Sequence, residues 1–313
     1  MSVYTSVSQN ELIGFLSQFD CGELISFKGI EAGIENTNYF VTTSTGEFVL
    51  TLFEELQGSD LDILLGFAYH LGEQGILVPA PIANKQGTLL QQLKNKPSVL
   101  CPRLKGGHVA QPTPAHCFAI GQALAQFHLA AASYTARMQD NYGFTWWQLK
   151  GPELTAHLSK ADQTLLESEL HYQTQQFALW QALPMGWIHA DLFHDNALFN
   201  DQQVAILDLY AACEGALVYD LAVVANDWCC DASGAWVEGT VEQLKAGYNS
   251  VRQLSDTEEG AWGLVLRAGA LRFWLGRLET QLLQANYQGE LALQKSPDEY
   301  KHKLIKRQQQ FPL

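Results

Sequence analysis

The apolar residues change their spacing once along this chain, near residue 105, and that change limits the folds open to it. Before it, residues 24–30, 38–43 and 47–53 are short runs rich in β-branched and aromatic side chains, divided by Gly33 and the Thr45-Gly46 turn. They predict an antiparallel meander. Residues 87–92 and 98–104 add two further strand-like runs after Pro79-Ala80-Pro81. Two helices are expected in the same region. Residues 8–19 open with Ser8 and carry Glu11 three positions on, a capping-box pattern. Residues 59–74 place Leu61, Leu64, Leu65, Ala68 and Leu71 on one face. Beyond Lys105 helical spacing dominates, over residues 116–131, 217–226, 239–248 and 261–279. One hairpin interrupts it, with residues 197–199 and 204–209 flanking the polar turn 200–203. Strands gathered first and helices second describe an α+β chain of two lobes. The small β-rich lobe spans 1–103 with a hinge at about 98–104, and the larger, mainly helical lobe spans 104–313.

Charge narrows the partners. Nineteen Lys+Arg against 33 Asp+Glu give a net charge of −14. Such a chain repels phosphate backbones and anionic bilayers, so neither nucleic acid nor a membrane is an expected partner. Local basic residues can still hold a small anion. Residues 106–136 contain no Asp, Glu, Lys or Arg. Pro112, Pro114, His116, Gln122, Gln126 and His128 nevertheless break the run of about 18 apolar residues that a membrane span needs, so the segment is expected to be a loop and a buried helix. The first ten residues lack the basic and apolar regions of a secretory leader. Cys21, Cys101, Cys117, Cys213, Cys229 and Cys230 are scattered without a CxxC. Reduced core thiols in a cytoplasmic protein fit that pattern better than a disulfide framework.

The segment His189-Ala-Asp191-Leu-Phe-His-Asp195-Asn196 has the H-x-D-x-x-x-x-N layout of a kinase catalytic loop. The spacing has a chemical reason. Asp191 can accept the proton of an attacking hydroxyl, while Asn196 reaches back across the loop toward a magnesium ion. His189 helps to fix the loop backbone. Twelve residues after Asn196, Asp208 ends an apolar run, where a kinase places its second metal ligand. Helix caps and turn chemistry would explain each residue singly, but not the joint spacing behind a β-lobe.

With the β-lobe, the hinge-like 98–104, the helix ending Gly121-Gln-Ala-Leu-Ala-Gln-Phe-His128, and the motifs HADLFHDN and ILDLY, the chain resembles the aminoglycoside phosphotransferase/choline kinase superfamily. Within it, it is most similar to the homoserine kinase family. Residues 27–40, 46–52, 219–222, 226–229 and 272–278 carry that likeness across nearly the whole chain. The resemblance implies a bilobal protein kinase-like fold, ATP and Mg²⁺ as cofactors, and phosphorylation of the side-chain hydroxyl of L-homoserine on the way to threonine. It implies Asp191 and His189 in catalysis, Asn196 and Asp208 on the metal, and ATP between the lobes with adenine against Val99, Cys101 and Arg103. A choline, ethanolamine or aminoglycoside kinase and a nucleotide-binding pseudokinase are the rival readings.

Strand 47–53 carries Thr51 where most kinases have a phosphate-pairing Lys, a departure that the homoserine kinase resemblance shares. Lys28 and the backbone N–H groups around Gly33 are candidates to take over that charge. Asn36 and Asn38 either assist or serve the turn. Asp227 either accepts a substrate ammonium or lies on a helix surface. Arg272 and Arg277 either clamp a carboxylate or pair within the lobe. Asp195 is expected to be a solvated carboxylate, Asp220 to tie the loop to the helices, and His128 to be a satisfied core residue.

Overall fold

The computed structural model describes residues 4–31, 36–200, 203–231, 233–285 and 295–312. In chain order the first elements are α1 (Gln9–Leu16), β1 (Leu24–Gly29), β2 (Thr37–Thr43), β3 (Glu47–Leu52), α2 (Ser59–Glu73), β4 (Gln91–Leu93) and β5 (Lys96–Pro102). Four helices follow: α3 (Pro114–Ala131), α4 (Phe144–Thr155), α5 (Lys160–Gln175) and α6 (Phe177–Gln181). Four short strands come next: β6 (Met185–Ile188), β7 (Ala197–Phe199), β8 (Val204–Ile206) and β9 (Cys213–Ala216). The remaining helices are α7 (Leu217–Trp228), α8 (Thr240–Asn249), α9 (Asp256–Gly260), α10 (Trp262–Ala285) and α11 (Pro297–Gln310). This is the expected α+β division.

The chain forms two compact units. The first holds residues 1–107, 133–138 and 198–210. Its sheet runs in the order β1-β2-β3-β5-β4, and every pairing is antiparallel. Alternation along β2 is complete, with Thr37, Tyr39, Val41 and Thr43 buried. Ser8 caps α1 with both arms of the capping box made to Glu11. The strand expected at 87–92 begins later, at Gln91. Asn84 accepts the backbone N–H groups of Gln86 and Thr88, and this side-chain turn takes residues 84–88 out of the ladder.

The division at 103/104 is also simpler than the one observed. Residues 133–138 join the first unit because Tyr134 donates to the Ile63 carbonyl at 2.8 Å and packs on Phe67. Residues 198–210 join it through the Ile206 N–H on Leu77 and the Tyr210 ring edge-on to Phe53 at 5.2 Å. The strand expected at 204–209 stops at Ile206 because Asp208 turns the backbone to a φ of 56°.

The second unit holds residues 108–132, 139–197 and 211–313. At its centre is α7, buried from Val218 to Asn226 on all sides, as suits a helix apolar around its whole circumference. The uncharged stretch forms a loop and α3, as expected, and no helix among the described residues is long and apolar enough to cross a membrane. All six cysteines are free thiols, five of them buried.

Helices α3 and α8 approach so closely that only glycine fits at two crossing points. A Cβ on Gly121 would overlap the Leu244 carbonyl oxygen, and one on Gly247 would overlap that of Phe118. Neither neighbour is a flexible side-chain end, so the helices themselves would have to part. We expect Gly247→Ala to lower unfolding free energy by about 1–3 kcal/mol, the usual cost of overpacking. Gly260→Ala, which meets open space, should stay close to wild type in the same urea titration.

Candidate active site

The His189–Asn196 segment follows β6 and is held from below by one side chain. β6 pairs antiparallel with β9, bringing Ile188 opposite Cys213, and the chain then passes directly from β9 into α7. Asp220, in the first turn of α7, is fully buried. Its Oδ2 accepts the His189 N–H at 2.7 Å and faces His128 Nε2 at 3.1 Å, and its Oδ1 accepts the Ala190 N–H at 2.9 Å. Burial by itself would raise this carboxyl, but His128, His189 and the backbone donors outweigh it and hold Asp220 below the ordinary carboxylate range. His128 is a core residue with its second nitrogen 2.8 Å from the Tyr248 hydroxyl. The expected tie between Asp220 and the loop is therefore present.

Above that anchor the loop is tightly wound. Ala190 takes a φ of 64°, a left-handed conformation costing a non-glycine residue about 1–2 kcal/mol. Asp191 is half-buried and donates its N–H to Nδ1 of the buried His189 at 3.2 Å. Asn196 Nδ2 donates to the Asp191 carbonyl at 2.8 Å and lies 3.4 Å from Asp191 Oδ2. The amide nitrogen of Asn196 is thus spent on the loop, and Oδ1 is the remaining polar atom of that side chain. The described residues hold no group of three or more His, Cys, Asp or Glu that could hold a metal ion. Asp195 is half exposed and pairs with Lys295 at 2.7 Å.

In the first unit, Thr51 sits where a β3 lysine was absent from the sequence, and its surroundings are neutral. The register places Asn38 opposite Thr51 on one side and Val99 on the other. Thr51 Oγ1 donates to Asn38 Oδ1 at 2.7 Å, and Asn38 Nδ2 donates to the Asn36 carbonyl. Tyr210 also hydrogen-bonds Thr51, while burial and then the nearby Cys101 and Asp208 push its hydroxyl far above the ordinary tyrosine range. Tyr210 is the last residue of the ILDLY motif, two positions after Asp208. Lys28 is exposed on β1 and makes no ion pair among the described residues. Gly33 lies outside the described residues.

The residues expected beside adenine have protein neighbours of their own. Val99 and Cys101 pack with Phe53, Leu61 and Leu65 in a buried apolar cluster. Burial pushes the Cys101 thiol up to about 12. Arg103 lies over the Phe40 ring at 4.2 Å and pairs with Glu47.

In the second unit, Asp227 meets His194. Its Oδ2 accepts from both the backbone N–H and Nδ1 of His194 at 2.7 Å, pinning the far end of the His189–Asn196 segment. That bond, against the opposing effect of burial, raises the His194 imidazole above its usual range. Arg277 is likewise committed, donating to Glu299 at 2.7 Å and to the Ser296 carbonyl while stacked on Tyr300. Arg272 differs. Its guanidinium lies over Tyr142 at 4.7 Å and Phe273 at 4.3 Å, and its buried Nε has no hydrogen-bond partner among the described residues.

Residues 26–254 match the phosphotransferase enzyme family. The chain is 42% identical over 307 residues to a homoserine kinase of Neisseria meningitidis serogroup B, covering 97% of this chain and 99% of that protein. It is 39% identical to a homoserine kinase of Methylobacillus flagellatus, covering 99% and 97%. Among solved structures, an amicoumacin kinase in complex with AMP-PNP, Ca²⁺ and Ami superposes with a TM-score of 0.70 at 14% identity, over 97% of this chain and 93% of that one. A microcompartment-associated aminopropanol kinase gives 0.68 at 16% identity, over 96% and 97%. At such identities these two structures establish the fold alone.

The Arg277 site makes a prediction about acid stability. Burial opposes ionisation of Glu299, but Lys303 and Arg277 prevail and lower its carboxyl from 4.5 to about 2. A depressed folded-state value stabilises above the unfolded value and is lost as pH falls through the folded one. The link between α10 and α11 should therefore weaken between about pH 4.5 and 2. In Glu299→Gln, that part of the pH dependence of the melting temperature should vanish while stability near pH 7 falls.

Proposed function

The chain belongs to the phosphotransferase enzyme family, and from that membership we propose that it transfers the γ-phosphoryl group of ATP to the side-chain hydroxyl of L-homoserine. The products are O-phospho-L-homoserine and ADP, and the reaction belongs to threonine synthesis. One observation carries the reading: identity near 40% with homoserine kinases over almost the full length of both chains. A cofactor pair of ATP and Mg²⁺ agrees with the hard oxygen donors of the loop and with the nucleotide analogue and metal ion in the amicoumacin kinase.

In this reading Asp191 accepts the hydroxyl proton as the homoserine oxygen attacks the γ-phosphorus. The new O–P bond forms as the bond from phosphorus to the β–γ bridging oxygen breaks, and that oxygen leaves with ADP. His189 holds the Asp191 backbone, and Asp220 holds His189 and Ala190, so the carboxylate is aimed before substrate arrives. Asn196 Oδ1 and the Asp208 carboxylate are the proposed Mg²⁺ ligands. Bound Mg²⁺ supplies positive charge that neutralises the phosphate oxygens. Lys28 and the backbone around Asn36 are proposed to face phosphate, and the backbone of residues 99–103 the adenine. Thr51, held by Asn38 and Tyr210, keeps the β3 position neutral.

Asp191→Asn should lower turnover by about 10²–10⁴-fold with nucleotide affinity unchanged, because its work is on the acceptor hydroxyl. Calorimetry with an ATP analogue and single-turnover assays measure the two separately. ATP consumption with L-homoserine should exceed that with choline, ethanolamine, serine or an aminoglycoside. A preference for any of these over homoserine would overturn the substrate assignment.

A further inference from the structure

We infer that Asp140 and Arg272 form the pocket that reads the zwitterionic end of the acceptor, Asp140 taking the ammonium and Arg272 the carboxylate. This rests on the homoserine reading above and adds residues to it. Asp140 lies in an aperiodic stretch before α4 and carries no motif. Its Oδ1 accepts the Tyr142 N–H at 2.8 Å, and the carboxylate lies so close over Gly143 that a Cβ there would collide with Oδ2. Tyr142, on the same turn, covers the Arg272 guanidinium. Asp140 and Arg272 are thus presented by one tight turn and one facing helix.

Both groups thus meet Tyr142, yet they make no hydrogen bond or ion pair with each other or with any other charged side chain among the described residues. Each feels the other: burial raises the Asp140 carboxyl, and Arg272 partly offsets it. The Tyr219 hydroxyl is also buried without a partner among the described residues, within the influence of both Arg272 and Asp140. Buried donors and acceptors are normally satisfied, and leaving one unpaired costs about 1–3 kcal/mol. An unpaired guanidinium nitrogen, a carboxylate without a charged partner and an orphaned hydroxyl describe a site whose partner comes from outside. A ligand carrying an ammonium and a carboxylate on one carbon satisfies both charges at once.

The pocket adjoins the catalytic segment through single side chains. Phe273, under Arg272, packs on Phe193 with ring centroids 4.6 Å apart, and Phe193 is two residues from Asp191. Tyr219 immediately precedes the anchor Asp220. An amino acid held here has its side chain, not its charged end, left for the hydroxyl chemistry.

The test compares L-homoserine with 4-hydroxybutyrate, which lacks the amine, and with homoserine methyl ester, which lacks the free carboxylate. Wild type should prefer homoserine over both by about 10- to 100-fold in kcat/KM, the value of a charge-assisted contact. Asp140→Asn should collapse the homoserine-to-hydroxybutyrate ratio and keep the acid-to-ester ratio. Arg272→Met should do the reverse. The KM for ATP should move in neither. If Asp140→Asn does not fold, Asp140→Glu, which shifts the charge by one methylene, should narrow the same ratio. Wild type that turns over homoserine and 4-hydroxybutyrate equally, or an unchanged ratio in the folded Asp140 variants, overturns this pocket alone. Wild type that ignores homoserine but phosphorylates another alcohol overturns the substrate reading instead.

Discussion

One buried carboxylate fixes the backbone at the start of the His189–Asn196 segment. Asp220 offers two oxygens to three donors, and two of those donors are consecutive backbone N–H groups of the catalytic segment. Few side chains can hold a backbone in a left-handed turn, because the donors there point the same way and only a bidentate acceptor meets both. The φ of 64° at Ala190 is therefore an outcome of the Asp220 contact, and the direction of Asp191 follows from Ala190. The charge is tolerable in the core because His128, itself tied to Tyr248, stands beside it. Three elements remote in sequence, α3, α7 and α8, thus converge on the aim of a single side chain.

Asp227 repeats the device seven residues later along α7. Its carboxylate holds His194 by backbone and ring together, so the catalytic segment is pinned at both ends by acids from one helix. The intervening residues, Asp191 among them, are thus held between two fixed points. Pre-organisation of this kind is how phosphoryl transfer gains rate where the protein contributes no covalent step.

How far the sequence could be read depends on which physical signal each element carries. The meander of β1, β2 and β3 alternates cleanly, and α2, α3 and α10 carry apolar stripes, so their periods are visible. The catalytic segment is legible because its residue types and spacing serve one chemistry. Helices α5 and α11 are not, since polar side chains interrupt their inward faces. α5 buries Glu169 and Gln173, and α11 buries Lys303 and Arg307. Those side chains are satisfied in the interior, Glu169 by Arg267 at 2.7 Å and Arg307 by Asn226 at 3.0 Å. No hydropathy pattern reports such pairs, because the partners lie 98 and 81 residues away. Asp140 was missed for a related reason: it stands in a stretch with no period, and only the unpaired state of Arg272 draws attention to it.

The interleaving of the two units has a consequence for how the chain is made. The five-stranded sheet is complete once Pro102 has been synthesised, but its unit also needs residues 198–210. Until about two thirds of the 313 residues have left the ribosome, the apolar cluster of Phe53, Leu61 and Leu65 lacks the Tyr210 ring that covers it. Residues 108–132 and 139–197, which belong to the other unit, emerge in the meantime. The usual order, in which an amino-terminal domain folds and is set aside before the next appears, is closed to this chain. Its first unit must wait, with part of its core uncovered, for a segment that lies beyond the catalytic loop.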